Sequence, residues 1–448
     1  MTECSRRAFL AAATGALAAT AGCSRLPVVG DGGDGGVDYD AERLQGVADP
    51  TAVTVSASAY PGPIPDDRAT RHYERGRELL DGVPRDPAVP NEVVAARLAR
   101  DRERAAEPFA DPPDGVSTLD DLDGWRYDRA NAAEVRGAYE AATGDADPES
   151  MRERRAAVRD SLHAFRGDWA YRARSPLEAV LVHRRLELTV TRAGDAVVAD
   201  RPFPADPKRA VSAVGSLAAA VEAARADAGD AAALRAAYRE PSMPAHRSAV
   251  ETAAVRLSAA VRATEARVYE YLDPAAGPEN FQRDVADTPA ESLFRRAKSG
   301  ARTAVDSAES ALDRGEHARA VTAAGRALVS LVAFEEVVAA IRDGEYGMPA
   351  SADAVVASRE AAVDAVASAE SVEPRPLADV LAVRARSMLR NGDVDLAGHP
   401  EYDRGDEPTV EDIRSAAGHY ALTAHAAAAV EPVARRVTAE LRAAASGT

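Results

Sequence analysis

The chain has 448 residues, with 72 carboxylates against 55 basic side chains for a net charge of −17, 46% hydrophobic residues and two cysteines. That apolar content over that length supports a large buried core in two or three domains and argues against global disorder. No uninterrupted run of about 18 apolar residues points to a polytopic membrane protein, and the acidic balance argues against a nucleic-acid binder, which needs a basic face toward phosphate.

The first element in chain order is Ser5-Arg6-Arg7-Ala8-Phe9-Leu10, followed by an alanine-rich run to Ala21 and then Gly22-Cys23. Paired arginines before an apolar stretch too short to span a bilayer, with small residues ahead of a thiol, are the parts of an export leader processed at a cysteine. The pattern resembles a twin-arginine export signal ending in a lipobox, with Thr20 where leucine is more usual. The resemblance implies a signal peptide over 1–22 with Arg6 and Arg7 as its export determinants. It also implies lipidation of Cys23 and residence at the extracytoplasmic face of the cell membrane, held by the lipid. Cys4 would leave with the signal, so no pair remains for a disulfide. Residues 23–48, which include Gly30-Asp31-Gly32-Gly33-Asp34-Gly35-Gly36, read as a flexible, solvated tether.

Beyond the tether lie an N-terminal helical region, 49–200, and a C-terminal one, 201–448, with breaks at Arg201-Pro202-Phe203-Pro204 and across 273–288. A short β-like stretch, 52–59, ends at the prolines of 61–65. Helices follow over 71–80, 92–107, 131–143 and 149–166. Ser175-Pro176-Leu177-Glu178 and Thr288-Pro289-Ala290-Glu291 have the order of a capping box with proline at the first helical position, and start helices over 176–191 and 289–313. Val250, Ala254, Leu257, Val261, Thr264, Val268 and Tyr271 alternate four and three apart, as a packing seam demands. Val321, Ala324, Leu328, Leu331, Val338 and Ile341 mark a second stripe, interrupted by Glu335-Glu336. The last helices cover 352–368, 376–390 with a stop at Asn391-Gly392, and 410–445 with a break near Pro432. With no β-α-β alternation the fold class is all-α, a multi-helix bundle or helical-hairpin array after the Gly/Asp tether.

Ala311-Leu312, Gly315-Glu316-His317, Ala320 and Ala327-Leu328 take the offsets of a helix hairpin. This stretch of about 34 residues resembles a tetratricopeptide unit, and the resemblance implies a concave binding surface. Lys208 and Lys298 are the only lysines, so arginine supplies nearly all the positive charge beside a large carboxylate excess. That bias resembles haloarchaeal proteins, whose self-repelling surfaces are screened at high salt.

The eight histidines are scattered over different elements, and none forms a helix-borne zinc pair. Gly315-Glu316-His317-Ala318-Arg319-Ala320 is similar to the Gly-x-His-x-x-Glu motif of imelysin-like helical lipoproteins, with Ala320 at the acidic position. Asp393, Asp395, His399 and Glu401 offer hard oxygen and imidazole donors that can hold a divalent cation, and His419 follows on the next helix. Neither a nucleophile elbow nor a phosphate loop occurs, so no catalytic residue is assigned. Trp125 and Trp169 are candidates for a groove lining or for core. The sequence therefore points to a non-catalytic, lipid-anchored binding or scaffolding protein with no assigned cofactor. Its expected partners are the membrane, through the anchor, and a protein or a small solute, with no nucleic acid. A metal-binding helical lipoprotein or enzyme and a transporter-associated solute receptor are the alternatives.

Overall fold

The computed structural model describes residues 39–55, 60–115, 118–198, 202–239, 242–286, 288–397 and 408–447. Arg6, Arg7, Cys23, His399 and Glu401 lie outside the described residues. Among the described residues every regular element is a helix, and β-type pairing is confined to one isolated antiparallel bridge between Arg172 and Ala245. The protein is an all-α helical bundle. None of the described helices is long and apolar enough to cross a membrane.

Chain order begins with α1 (Ala41–Val47), whose first turn is capped by the Asp40 carboxylate accepting from the Arg43 amide. Leu44 is fully buried, a burial that contributes roughly 1.5–3 kcal/mol. The end of the expected 23–48 tether is therefore a docked helix, because one leucine on a short turn has a core to enter. After it, residues 52–55 take no strand. The segment straps the two halves of the bundle: the Tyr39 hydroxyl donates to the Pro349 carbonyl at 2.6 Å, and the Tyr60 hydroxyl donates to that of Leu234 at 3.4 Å.

The first half comprises α2 (Asp67–Asp81), α3 (Glu92–Ala106), α4 (Leu119–Thr143), α5 (Pro148–Gly167), α6 (Pro176–Val198) and α7 (Val211–Tyr238). α4 starts well before the expected Asn131. A capping box at Thr118 and Asp121 nucleates it: the Thr118 hydroxyl accepts from the Asp121 amide at 3.1 Å and the Asp121 carboxylate from the Thr118 amide at 2.9 Å. α4 and α7 cross at Gly137 and Gly215. A Cβ on Gly137 would stand 2.5 Å from the Ala218 Cβ, and one on Gly215 2.8 Å from the Glu134 carbonyl oxygen, so only glycine lets these backbones touch.

Charge is buried inside this half. His72, wholly inaccessible, places Nε2 3.1 Å from both Asp230 carboxylate oxygens. Asp230 also accepts from Arg68 Nε at 2.9 Å. Glu222 accepts from Arg129 Nε at 2.8 Å and Arg75 Nε at 3.1 Å, tying α7 to α4 and α2.

The second half comprises α8 (Arg247–Leu272), α9 (Pro289–Asp313), α10 (His317–Asp343), α11 (Ala352–Glu370), α12 (Arg375–Ala397), α13 (Val410–Ala428) and α14 (Val430–Ser446). α9 and α10 form the expected hairpin, turned at Gly315 with φ +69°, a conformation that favours glycine. The stripe read on α10 is buried, yet burial extends round the whole helix through Ala323, Val329 and Ala333, which makes α10 the axis of this half. Glu335 stays outside, paired with Arg267 at 2.8 Å.

Several boundaries differ from expectation. At Thr288 no side-chain cap forms, because its hydroxyl donates to the Val285 carbonyl at 2.6 Å. At Ser175 half the box forms: the hydroxyl accepts from the Glu178 amide, while the Glu178 carboxylate accepts from the Arg174 amide. α12 runs through Asn391-Gly392 to Ala397, since Gly392 is seated under the Tyr420 ring rather than capping a helix. The last break falls at Ala429, leaving Pro432 in the first turn of α14, where its missing amide costs nothing.

Candidate functional site

Of the acidic segment read as a metal candidate, Asp393 and Asp395 fall among the described residues. Asp393 is fully buried and engaged: it accepts from Arg359 Nε and Nη2 at 2.7 and 2.8 Å, the Tyr420 hydroxyl at 2.9 Å and the Asp49 amide at 3.3 Å. It fixes the N-terminal strap, α11 and α13 at one point. Asp395, one position past the next residue, accepts from the Ser415 hydroxyl and lies 3.4 Å from His419 Nε2. Burial, reinforced by Arg296 and Arg384, pushes His419 down to about 3, so the ring is neutral. Among the described residues no three His, Cys, Asp or Glu side chains converge as a metal site.

A second polar cluster sits where the halves meet. Trp169 Nε1 donates to His183 Nδ1 at 2.7 Å, and Trp169 stacks on Tyr171 with ring centroids 5.8 Å apart. Tyr171 donates to Glu187 on α6, whose carboxylate also accepts from the amides of Ala318 and Arg319 at 3.1 and 2.6 Å. Those amides belong to the first turn of α10, which has no capping side chain of its own. Glu187 supplies the missing acceptor from the other half of the molecule. Trp169 is thus part of a packed junction. Trp125 packs edge-on to Tyr73, 6.2 Å between centroids, within the small core of α2 and α4.

Open space lies elsewhere, in a cleft of about 500 Å³ between α3 and α4, closed at one end by the start of α7. Its volume is that of a small-molecule site. Its floor is apolar, formed by the buried Leu98, Val135 and Ala138. On the α3 wall Arg97 and Arg104 are both engaged by Asp101, the first at 3.3 Å. On the α4 wall stand Tyr127, 62% exposed at the lip, with half-buried Asp128 and Asn131 and then Glu134. Asp128 makes no hydrogen bond or ion pair among the described residues, and burial alone moves its carboxyl above the usual range. Glu134 forms no ion pair there either, accepting only from the Ser216 hydroxyl at 3.4 Å.

Sequence reasoning missed these residues. Tyr127, Asn131, Glu134 and Ala138 recur three and four apart on one face, but a polar helical face reads the same whether it meets water or lines a cleft.

Geometry and fold define an all-α bundle with a strapped, capped junction and an open cleft in its first half. The chain is similar to two domains in succession: residues 67–245 match a domain of unknown function, DUF8262, and residues 247–439 match another, DUF8264. The matched segments meet at His246, whose amide donates to the Tyr171 carbonyl at 3.1 Å, within the junction itself. No curated protein and no solved structure matches the chain.

Proposed function

We propose that this chain is a lipid-anchored binding protein, held at the extracytoplasmic face of the membrane through Cys23 and offering the α3–α4 cleft to a ligand. The location rests on Arg6-Arg7 and Cys23 standing at the two ends of a short apolar run. The binding role rests on one observation, a cleft of small-molecule size that keeps the unpartnered Asp128 carboxylate in its wall. An unpaired, partly desolvated charge costs stability, and a ligand that completes it accounts for its presence. A twin-arginine route would deliver the bundle already folded, which suits a body with buried ion networks and no disulfide. The acidic, lysine-poor composition fits a protein working in brine.

Three measurements test the reading. Cys23→Ser is expected to leave the membrane fraction for the soluble one, and equal membrane retention overturns the anchor. A survey of solutes by melting temperature in molar salt is expected to find one that stabilises the natural protein and not Ser212→Trp, which fills the cleft from its α7 end. Reproducible turnover by the purified protein, abolished by a single side-chain change, overturns the non-catalytic role.

A further inference from the structure

The charge distribution in the α3–α4 cleft specifies more than volume does. The α3 wall's two guanidiniums are both held by Asp101 and are largely exposed at the lip. Two guanidiniums share the one Asp101 carboxylate, so the α3 wall keeps one positive charge in excess, at the exposed lip. On the opposite wall, Asp128 is unpartnered and Glu134 has only a long bond from Ser216. These carboxylates stand six residues apart on α4, roughly 9 Å along its axis, with Asn131 between them and also free of side-chain hydrogen bonds among the described residues. Tyr127 exposes its ring beside Asp128 at the lip, a face that attracts cations. The floor between the walls is Leu98, Val135 and Ala138.

Resting on the reading of this cleft as a binding site, we propose that its ligand is an organic cation: an ammonium or guanidinium group on a short apolar body, with the cation at Asp128 and the body along the Leu98–Val135 floor. A carboxylate ligand seated at Asp128 would meet that acid directly, with Glu134 six residues on, against a single excess positive charge at the exposed lip. A neutral apolar ligand would leave Asp128 desolvated and unpaired, the costlier outcome. At molar salt exposed charges are screened within about 3 Å, so the half-buried Asp128 retains an attraction that a surface carboxylate loses.

The test is calorimetric titration of the full chain in molar KCl with hexylamine, hexan-1-ol and hexanoate, which share a body and differ in head group. Hexylamine is expected to bind at least roughly tenfold more tightly than hexan-1-ol, a difference of about 1.4 kcal/mol, with hexanoate weakest. Asp128→Asn should erase that preference while raising the melting temperature, since it removes an unpaired, half-buried charge from a folded protein. 1,6-Diaminohexane should bind more tightly than hexylamine, and Glu134→Gln should remove that increment alone. Hexan-1-ol or hexanoate binding as tightly as hexylamine overturns the cation while leaving the cleft a binding site. So does an Asp128→Asn variant that keeps the preference. Failure of every probe to bind overturns the proposal, and the anchor reading is then judged separately by the Cys23→Ser fractionation.

Discussion

The Glu187 carboxylate accepts the Arg319 amide at 2.6 Å across the junction, so the first half of the bundle caps the central helix of the second. The Ala318 amide and the Tyr171 hydroxyl point to the same carboxylate. Glu187→Ala strips the acceptor from three donors, two of them on buried residues, and removes a polar link between the halves. A loss of about 3 kcal/mol or more is expected, read as a lowered midpoint in chemical unfolding. Because Ala318 and Arg319 open α10, hydrogen exchange should rise first in that helix's opening turn.

The same carboxyl gives the junction a pH dependence. Burial pushes Glu187 up to about 7, against the pull of Tyr171 and the two amides. Between its ordinary 4.5 and about 7 the folded protein retains a proton that the unfolded chain has released. This contribution to stability is therefore complete below 4.5, falls as pH rises through the window and is gone above it. The histidines pushed down by burial, His183 to about 4, His419 to about 3 and His425 to about 4, act in the opposite direction as pH drops below about 6.5. Comparison with Glu187→Gln, which cannot titrate, isolates the junction. The natural protein should lose on the order of 3 kcal/mol relative to that variant between about pH 4.5 and pH 7.5. A flat difference would show that the ionised carboxylate is the bound form throughout.

Glu222 is the keystone of the ion network that joins α2, α4 and α7. Burial alone would raise its carboxyl, but Arg129 and Arg75 outweigh burial and hold it below the usual range. Glu222→Gln keeps the shape and removes the charge, leaving the buried Arg129 guanidinium without its ion partner beside Arg75, which still has Glu78. Breaking one side of a buried pair typically costs about 3–5 kcal/mol. Unfolding of Glu222→Gln should show a loss of that order, and Glu222→Gln combined with Arg129→Met should recover part of it.

How far the fold could be read in advance depended on where polar residues fall. α9 was legible to the residue, Pro289–Asp313, because proline sets its start and its apolar stripe faces one way. α7 gave no such stripe: Glu222, Asp227 and Asp230 are buried in it, and buried charge destroys the alternation on which periodicity depends. The opening turns of α4 were hidden in Asp120-Asp121-Leu122-Asp123-Gly124, which looks like a loop until the Thr118 box is seen. At the level of sites, the ion pair of Asp393 could not be foreseen, because Arg359 is 34 positions away and cannot be paired from one chain's spacing. Asp128 was invisible for the converse reason, since its distinction is the partner it lacks.

Gly392 sets helix propensity against packing in a way that decides which wins. It sits inside α12, where alanine would gain about 1 kcal/mol of intrinsic helix stability. A Cβ there would lie 2.5 Å from Tyr420 Cε1, and Tyr420 is not free to move: its ring is 1% exposed and its hydroxyl is held by Asp393 at 2.9 Å. Displacing the ring breaks that bond and disturbs the Arg359 pair on the same carboxylate. Overpacking of this kind costs about 1–3 kcal/mol, which exceeds the propensity gain. Gly392→Ala is therefore expected to melt lower than the natural protein. Gly392→Ala combined with Tyr420→Leu should melt higher than Gly392→Ala alone, because the smaller side chain gives the new methyl group room. A single variant that melts higher than the natural protein would mean that α12 and α13 separate by a few tenths of an ångström without loss, and that the Tyr420–Asp393 bond is not what sets their spacing.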